Sequence, residues 1–188
     1  MKVRKVGLAL LIAVLLTAPG CLVLTVNPSH DRDALAWEPG LLGQWQNADD
    51  NASLTIDRGE WQSYKIHYTH TIESGHVTGY LTTIGESQYL DVMPARGEDR
   101  GAFLLPLHAT VRVKLTGDRL ELTGLSYDWF FDRLRLKTAI PGLTATFDEK
   151  ENALIVSPTR AFRAWLAKQP AGSAVFGASA VFTRKPGE

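Results

Sequence analysis

The chain has 188 residues, 45% hydrophobic and 21% charged, with 20 basic and 20 acidic side chains. These are ordinary globular values that argue against both a disordered chain and a polytopic membrane protein, and the length suits one domain plus a targeting segment. Lys and Arg form no cluster that could release counterions from phosphates, which argues against a nucleic-acid partner, and a single cysteine, Cys21, leaves no internal disulfide to support the fold.

The first five residues carry Lys2, Arg4 and Lys5, Val6 to Leu16 is an uncharged apolar run, and Thr17-Ala18-Pro19-Gly20 is a small, helix-breaking stretch ahead of Cys21. This is the order of a secretory signal. Positive charge holds the start on the cytoplasmic side, and Pro and Gly unwind the chain for a peptidase. Removing the first twenty residues leaves 17 basic against 20 acidic side chains, a net charge of −3. Gly20-Cys21 resembles the lipobox of bacterial lipoproteins, in which a small residue precedes a cysteine that is acylated and becomes the mature N-terminus. Ala18 and Pro19 stand where that family usually has Leu and Ala or Ser. The resemblance implies lipidation of Cys21, and Leu22 after the cysteine implies sorting to the outer membrane, facing the periplasm. Two other readings stay open. Ala18 and Gly20 suit an ordinary signal peptidase, and Val6 to Val26 is long enough, without a charge, to span a bilayer.

The expected organisation is a signal peptide over 1–20, an acylated Cys21 with a tether over 21–40, and one β-rich domain over 41–188. Asn27, Pro28, Pro39 and Gly40, without apolar periodicity, carry the tether reading. Beyond Leu41 the chain is dominated by short runs of period-two alternation. In Ser63 to Thr69, Tyr64, Ile66 and Tyr68 face one way and Lys65, His67 and Thr69 the other. Further strands are expected at Ser53 to Asp57, Val77 to Ile84, Gln88 to Val92, His108 to Leu115, Arg119 to Thr123, Leu143 to Phe147, Leu154 to Ser157 and Ala178 to Arg184. Asp57-Arg58-Gly59, Glu73-Ser74-Gly75 and Thr116-Gly117-Asp118 are compact links of the kind that join antiparallel neighbours. Arg96 to Gly101 is a longer, charged loop. Ser126 to Leu136 fits a short helix or an aromatic strand end. A second helix enters through Pro158, with Ser157 or Thr159 as its cap, buries Phe162, Trp165 and Leu166, and closes at Pro170.

Gly43-Gln44-Trp45, followed late in the chain by a helix at about 159–168 and a last strand ending in Arg184, resembles the lipocalin-like barrels. The resemblance implies a mainly β fold, an antiparallel barrel or curved sheet with one or two short helices, in which Arg184 covers Trp45 to close the barrel. The layout, with Leu90-Asp91-Val92 and then Leu105-Pro106-Leu107-His108, also resembles small bacterial lipoproteins of no assigned activity.

Chemistry is sparsely signalled. His67 and His70, three apart on a strand, fall on opposite faces and cannot share an ion, and no paired cysteine or carboxylate cluster suggests a metal. No nucleophile elbow is present, and nothing in the sequence selects Ser126, His108 and Asp91 over other trios. No cofactor is expected. Trp61, Tyr64, Tyr68, Tyr80, Tyr89 and Trp129 could line an apolar pocket with polar tips, or simply fill the core, as side chains do in small barrels. The expected role is non-enzymatic: an envelope lipoprotein held to a membrane by its N-terminal lipid, binding a small apolar or amphipathic ligand or an envelope protein.

Overall fold

The computed structural model describes residues 22–71, 74–95 and 106–186. Cys21, the segment before it and the charged loop Arg96 to Gly101 lie outside the described residues. Eight strands close into an antiparallel, lipocalin-like barrel: β3 (Gly43–Asn47), β4 (Ala52–Arg58), β5 (Ser63–Thr69), β6 (Ser74–Ile84), β7 (Ser87–Pro94), β8 (Ala109–Thr116), β9 (Arg119–Leu125) and β12 (Phe176–Arg184). Each pairs with the next, and β12 inserts between β9 and β3 to complete the circuit. The mainly β expectation therefore holds, and alternation is its cause. Leu54 and Ile56, Tyr64, Ile66 and Tyr68, Leu90 and Val92, Val111 and Val113, and Leu120 and Leu122 all enter one interior cluster, while the residues between them face outward.

Tight turns fix the register. Gly85 and Gly117 hold φ +61° and +57° in the β6–β7 and β8–β9 hairpins, a conformation that costs glycine little. The expected Glu73-Ser74-Gly75 link differs from the structure, because Ser74 and Gly75 already pair within β6, opposite Thr69 and Tyr68.

Two of the expected strands leave the barrel. β10 (Ala145–Phe147) and β11 (Ala153–Ile155) form a separate sheet with β1 (Val23–Thr25), in which β1 lies parallel to β11 and β10 is antiparallel to it. The stretch read as a tether, 22–40, is thus built into the domain. Its strand β1 also bridges to His108, just ahead of β8, and β2 (Leu35–Ala36) pairs with the end of β6. Tethers are recognised by missing periodicity, and strands of two or three residues are too short to show any.

α1 (Tyr127–Arg135) settles the ambiguous segment as helix, with the Ser126 hydroxyl accepting the Trp129 amide at 3.3 Å. α2 (Thr159–Leu166) starts where expected but has no side-chain cap. The hydroxyl of Ser157 is used elsewhere, accepting the Thr144 amide at 2.7 Å. Both helices and the small sheet pack on the outside of the barrel. Phe130, Phe162, Trp165 and Ile155 meet Tyr89, Leu125 and Phe176 there in a second hydrophobic core. No helix among the described residues is long and apolar enough to cross a membrane.

Candidate functional sites

The barrel bore is lined by aliphatic side chains and Tyr64, and the remaining cavity is about 30 Å³. That is room for a water molecule or two, within walls that offer no polar partner, so the interior is a packed core. Glycine positions show the same tightness. A Cβ on Gly75 would come within 2.7–2.9 Å of the Tyr68 ring, which lies over the glycine from the paired strand. Gly75→Ala is therefore expected to displace a buried ring and cost about 1–2 kcal/mol, read as a lowered thermal midpoint.

The six aromatic residues expected to share a pocket are dispersed. Tyr64 and Tyr68 face the bore. Tyr64 stacks on Trp37 at 4.7 Å, and its hydroxyl accepts the Glu38 amide at 2.8 Å and donates to the Glu38 carbonyl at 3.2 Å. Burial, offset in part by the Glu38 amide, pushes its pKa up. Tyr80 and Tyr89 sit on the outer wall, Tyr80 against His30 at 4.5 Å and Tyr89 in the second core. Trp129 packs in α1 beneath the Arg133 guanidinium, at 4.2 Å. Trp61 is 88% exposed in the β4–β5 turn. Residues alternating along a strand share a face only within one register, and Tyr80 and Tyr89 fall on the opposite parity from Tyr64 and Tyr68.

The pair Trp45 and Arg184 does meet. The guanidinium lies 4.2 Å from the fully buried indole, whose Nε1 donates to the Leu41 carbonyl at 2.9 Å. Arg184 also donates from Nη1 to the Leu42 carbonyl at 2.7 Å, from Nη2 to the Gly40 carbonyl, and from Nε to Asp118 at 3.0 Å. One side chain thus closes the end of the barrel and fastens residues 40–42 across it.

The most concentrated polar chemistry lies on the outer wall. Leu90 and Val92 point inward, so Asp91 points outward, and the segment 28–34 covers it until no surface is left exposed. His108 Nδ1 sits 2.6 Å from one carboxylate oxygen. The other oxygen accepts the Ser29 hydroxyl at 2.9 Å, the Ser29 amide, and the His30 amide at 3.3 Å, with His30 Nδ1 at 3.4 Å. Burial alone would raise the pKa of Asp91. The hydrogen bonds from His108 and His30, and their charges, outweigh it and bring the value to about 2. Arg163 of α2 adds bonds to the Ser29 carbonyl at 2.8 Å, Thr82 Oγ1 at 2.9 Å and the Thr83 carbonyl at 3.2 Å.

Of the trio Ser126, His108 and Asp91, the structure brings two together. Ser126 is committed to its helix cap. The serine at Asp91 is Ser29, and its hydroxyl donates to the carboxylate itself, whereas an activated nucleophile would give its proton to the imidazole. The cluster is built as a clamp. A charge at the centre of the apolar run Leu90-Asp91-Val92 is the sequence signal that marks it.

His67 stacks on His76 across β5 and β6 at 4.4 Å. Among the described residues, no group of three or more His, Cys, Asp or Glu is arranged to hold a metal ion. A second, open cleft of about 360 Å³ runs between the C-terminal end of α1 and strand β10, with Arg133 and Lys137 in its wall.

Compared with protein-family models, curated proteins and solved structures, the chain finds no match.

Proposed function

We propose that the chain is an envelope lipoprotein, anchored by acylation of Cys21 in the outer membrane facing the periplasm, with a non-enzymatic role as an interaction module of an envelope assembly. The observation that carries this reading is the absence of slack after residue 21. The Leu22 carbonyl already accepts the Ala153 amide at 2.8 Å, and the Leu22 amide faces Asn152 Oδ1 at 3.3 Å. A lipid on Cys21 would therefore moor the folded domain directly at the bilayer surface.

The same fact weighs against an uncleaved span. Leu22 to Val26 belong to the small sheet and its exit turn, which leaves 6–21, shorter than the ~20 apolar residues a crossing helix needs. Ligand carriage in the bore draws no support from a cavity of about 30 Å³, far below the several hundred Å³ of small-molecule sites. A surface role is the better supported of the two.

Mass spectrometry of the mature N-terminus from envelope fractions tests the address. An acylated Cys21 is expected, and Cys21→Ala should shift the protein from the membrane to the soluble fraction. A variant that is processed and retained like the parent would overturn the mooring.

A further inference from the structure

The sheet β1–β11–β10 ends at β10, and the far edge of β10 forms one wall of the open cleft. Hydrogen bonds identify which backbone groups face it. Val156 donates to the Thr144 carbonyl, and Asp148 donates to the Asn152 carbonyl, each at 3.0 Å. Residues 144 and 148 therefore turn toward β11, and alternation turns Ala145 and Phe147 toward the cleft. The amides of Ala145 and Phe147 and the Ala145 carbonyl have no partner among the described residues. The Phe147 carbonyl receives only a 3.4 Å contact from Thr146 Oγ1.

Across the cleft, Arg133 and Lys137 are the only charged groups among the described lining residues, which include no carboxylate, and neither enters an ion pair among the described residues. Stacking on Trp129 fixes the Arg133 guanidinium in place. At the helix end, Leu136 is 77% exposed. A strand edge with free amides and carbonyls accepts an extended chain, and two cations opposite it select one bearing carboxylates.

We infer that the cleft between β10 and α1 docks an extended acidic segment of a partner protein. The segment pairs its backbone with Ala145 and Phe147 and places a carboxylate against Arg133 and Lys137. This deepens the interaction role proposed above and rests on it for its setting.

The test uses the purified full-length protein and a capped octapeptide of alternating threonine and glutamate, with the same peptide carrying lysine for glutamate as its control. Binding followed by fluorescence anisotropy is expected with a dissociation constant below about 1 mM for the glutamate peptide, and at least about tenfold weaker for the lysine peptide. The Arg133→Glu, Lys137→Glu double variant should invert that preference. Ala145→Pro removes one amide that faces the cleft and leaves the ladder to β11 intact, so it should keep the parent's circular dichroism and thermal midpoint while losing at least about tenfold in affinity. Equal binding of both peptides, no binding up to about 1 mM, or full affinity in a folded Ala145→Pro variant would each overturn the proposal. The Cys21 experiment is read independently: an unacylated protein that binds the glutamate peptide defeats the mooring alone, and an acylated one that ignores it defeats the docking alone.

Discussion

Asp91→Ala is expected to destabilise the protein by about 3–5 kcal/mol, measured from the shift of its urea midpoint. The carboxylate is wholly buried and serves Ser29, His30 and His108 together. Its removal strands several donors in a dry site and frees the segment that covers it. A loss below about 1 kcal/mol, within the range of ordinary substitutions, would show that the covering segment does not depend on this carboxylate. Hydrogen exchange should place the new opening at residues 28–34 first, between the strand pairings of β1 and β2, where the remaining ties are Arg163 to the Ser29 carbonyl and Thr82 to the Ala34 carbonyl.

The same carboxylate sets an acid limit. Its pKa falls from the ordinary 3.8 to about 2 in the fold, so the stability it contributes is fully present above about 3.8 and is lost as pH falls through about 2. The loss between pH 5 and pH 2 amounts to about 2 kcal/mol. Asp91→Asn keeps the shape and cannot titrate, so its stability should be flatter than the parent's by that amount over this interval. Parallel curves for the two proteins would remove the carboxylate from the account.

Trp45→Ala carries the second large effect, an expected loss of about 3–5 kcal/mol for a fully buried indole at the barrel end. Arg184→Ala should cost less, about 1–2 kcal/mol, since its side chain is partly solvated and its ties to Leu42, Gly40 and Asp118 are hydrogen bonds of modest net worth. The double variant distinguishes stacking from mere proximity. If the guanidinium at 4.2 Å interacts with the ring, the two costs will fall short of additivity by about 0.5–2 kcal/mol. Simple additivity would mean that Arg184 acts only through its hydrogen bonds.

How much of this was legible beforehand depends on the range over which each signal acts. Alternation is local, so the barrel strands from β4 onward were readable and Ser63 to Thr69 has the bounds the sequence suggests, while β3 was marked only by Gly43-Gln44-Trp45 and the resemblance it carries. Helix caps are local too, yet Ser157 shows that a suitable residue can be claimed by a distant amide. Membership in a sheet is a long-range property, which is why Leu143 to Phe147 and Leu154 to Ser157 read like barrel strands and are not. The clamp around Asp91 was hidden for the same reason: Ser29 and His30 precede it by about sixty positions, in a stretch whose composition suggests a loop. The aromatic residues misled because ring chemistry suggests a pocket, whereas strand parity decides whether Tyr80 and Tyr64 can face one another.

The parallel pairing of β1 with β11 joins residues about 130 positions apart. During synthesis from the N-terminus, β1 emerges well before its partner and must wait, single and wet, until residue 155 has followed it. The β3 to β9 meander can zip up through neighbouring hairpins in the meantime, whereas the seam beside Cys21 can close only once β11 has followed, and the barrel itself only when β12 brings Arg184 beside Trp45, as expected where loop closure is long. An anchor attached at that cysteine would thus hold a chain whose nearest structure cannot form until β11 has emerged.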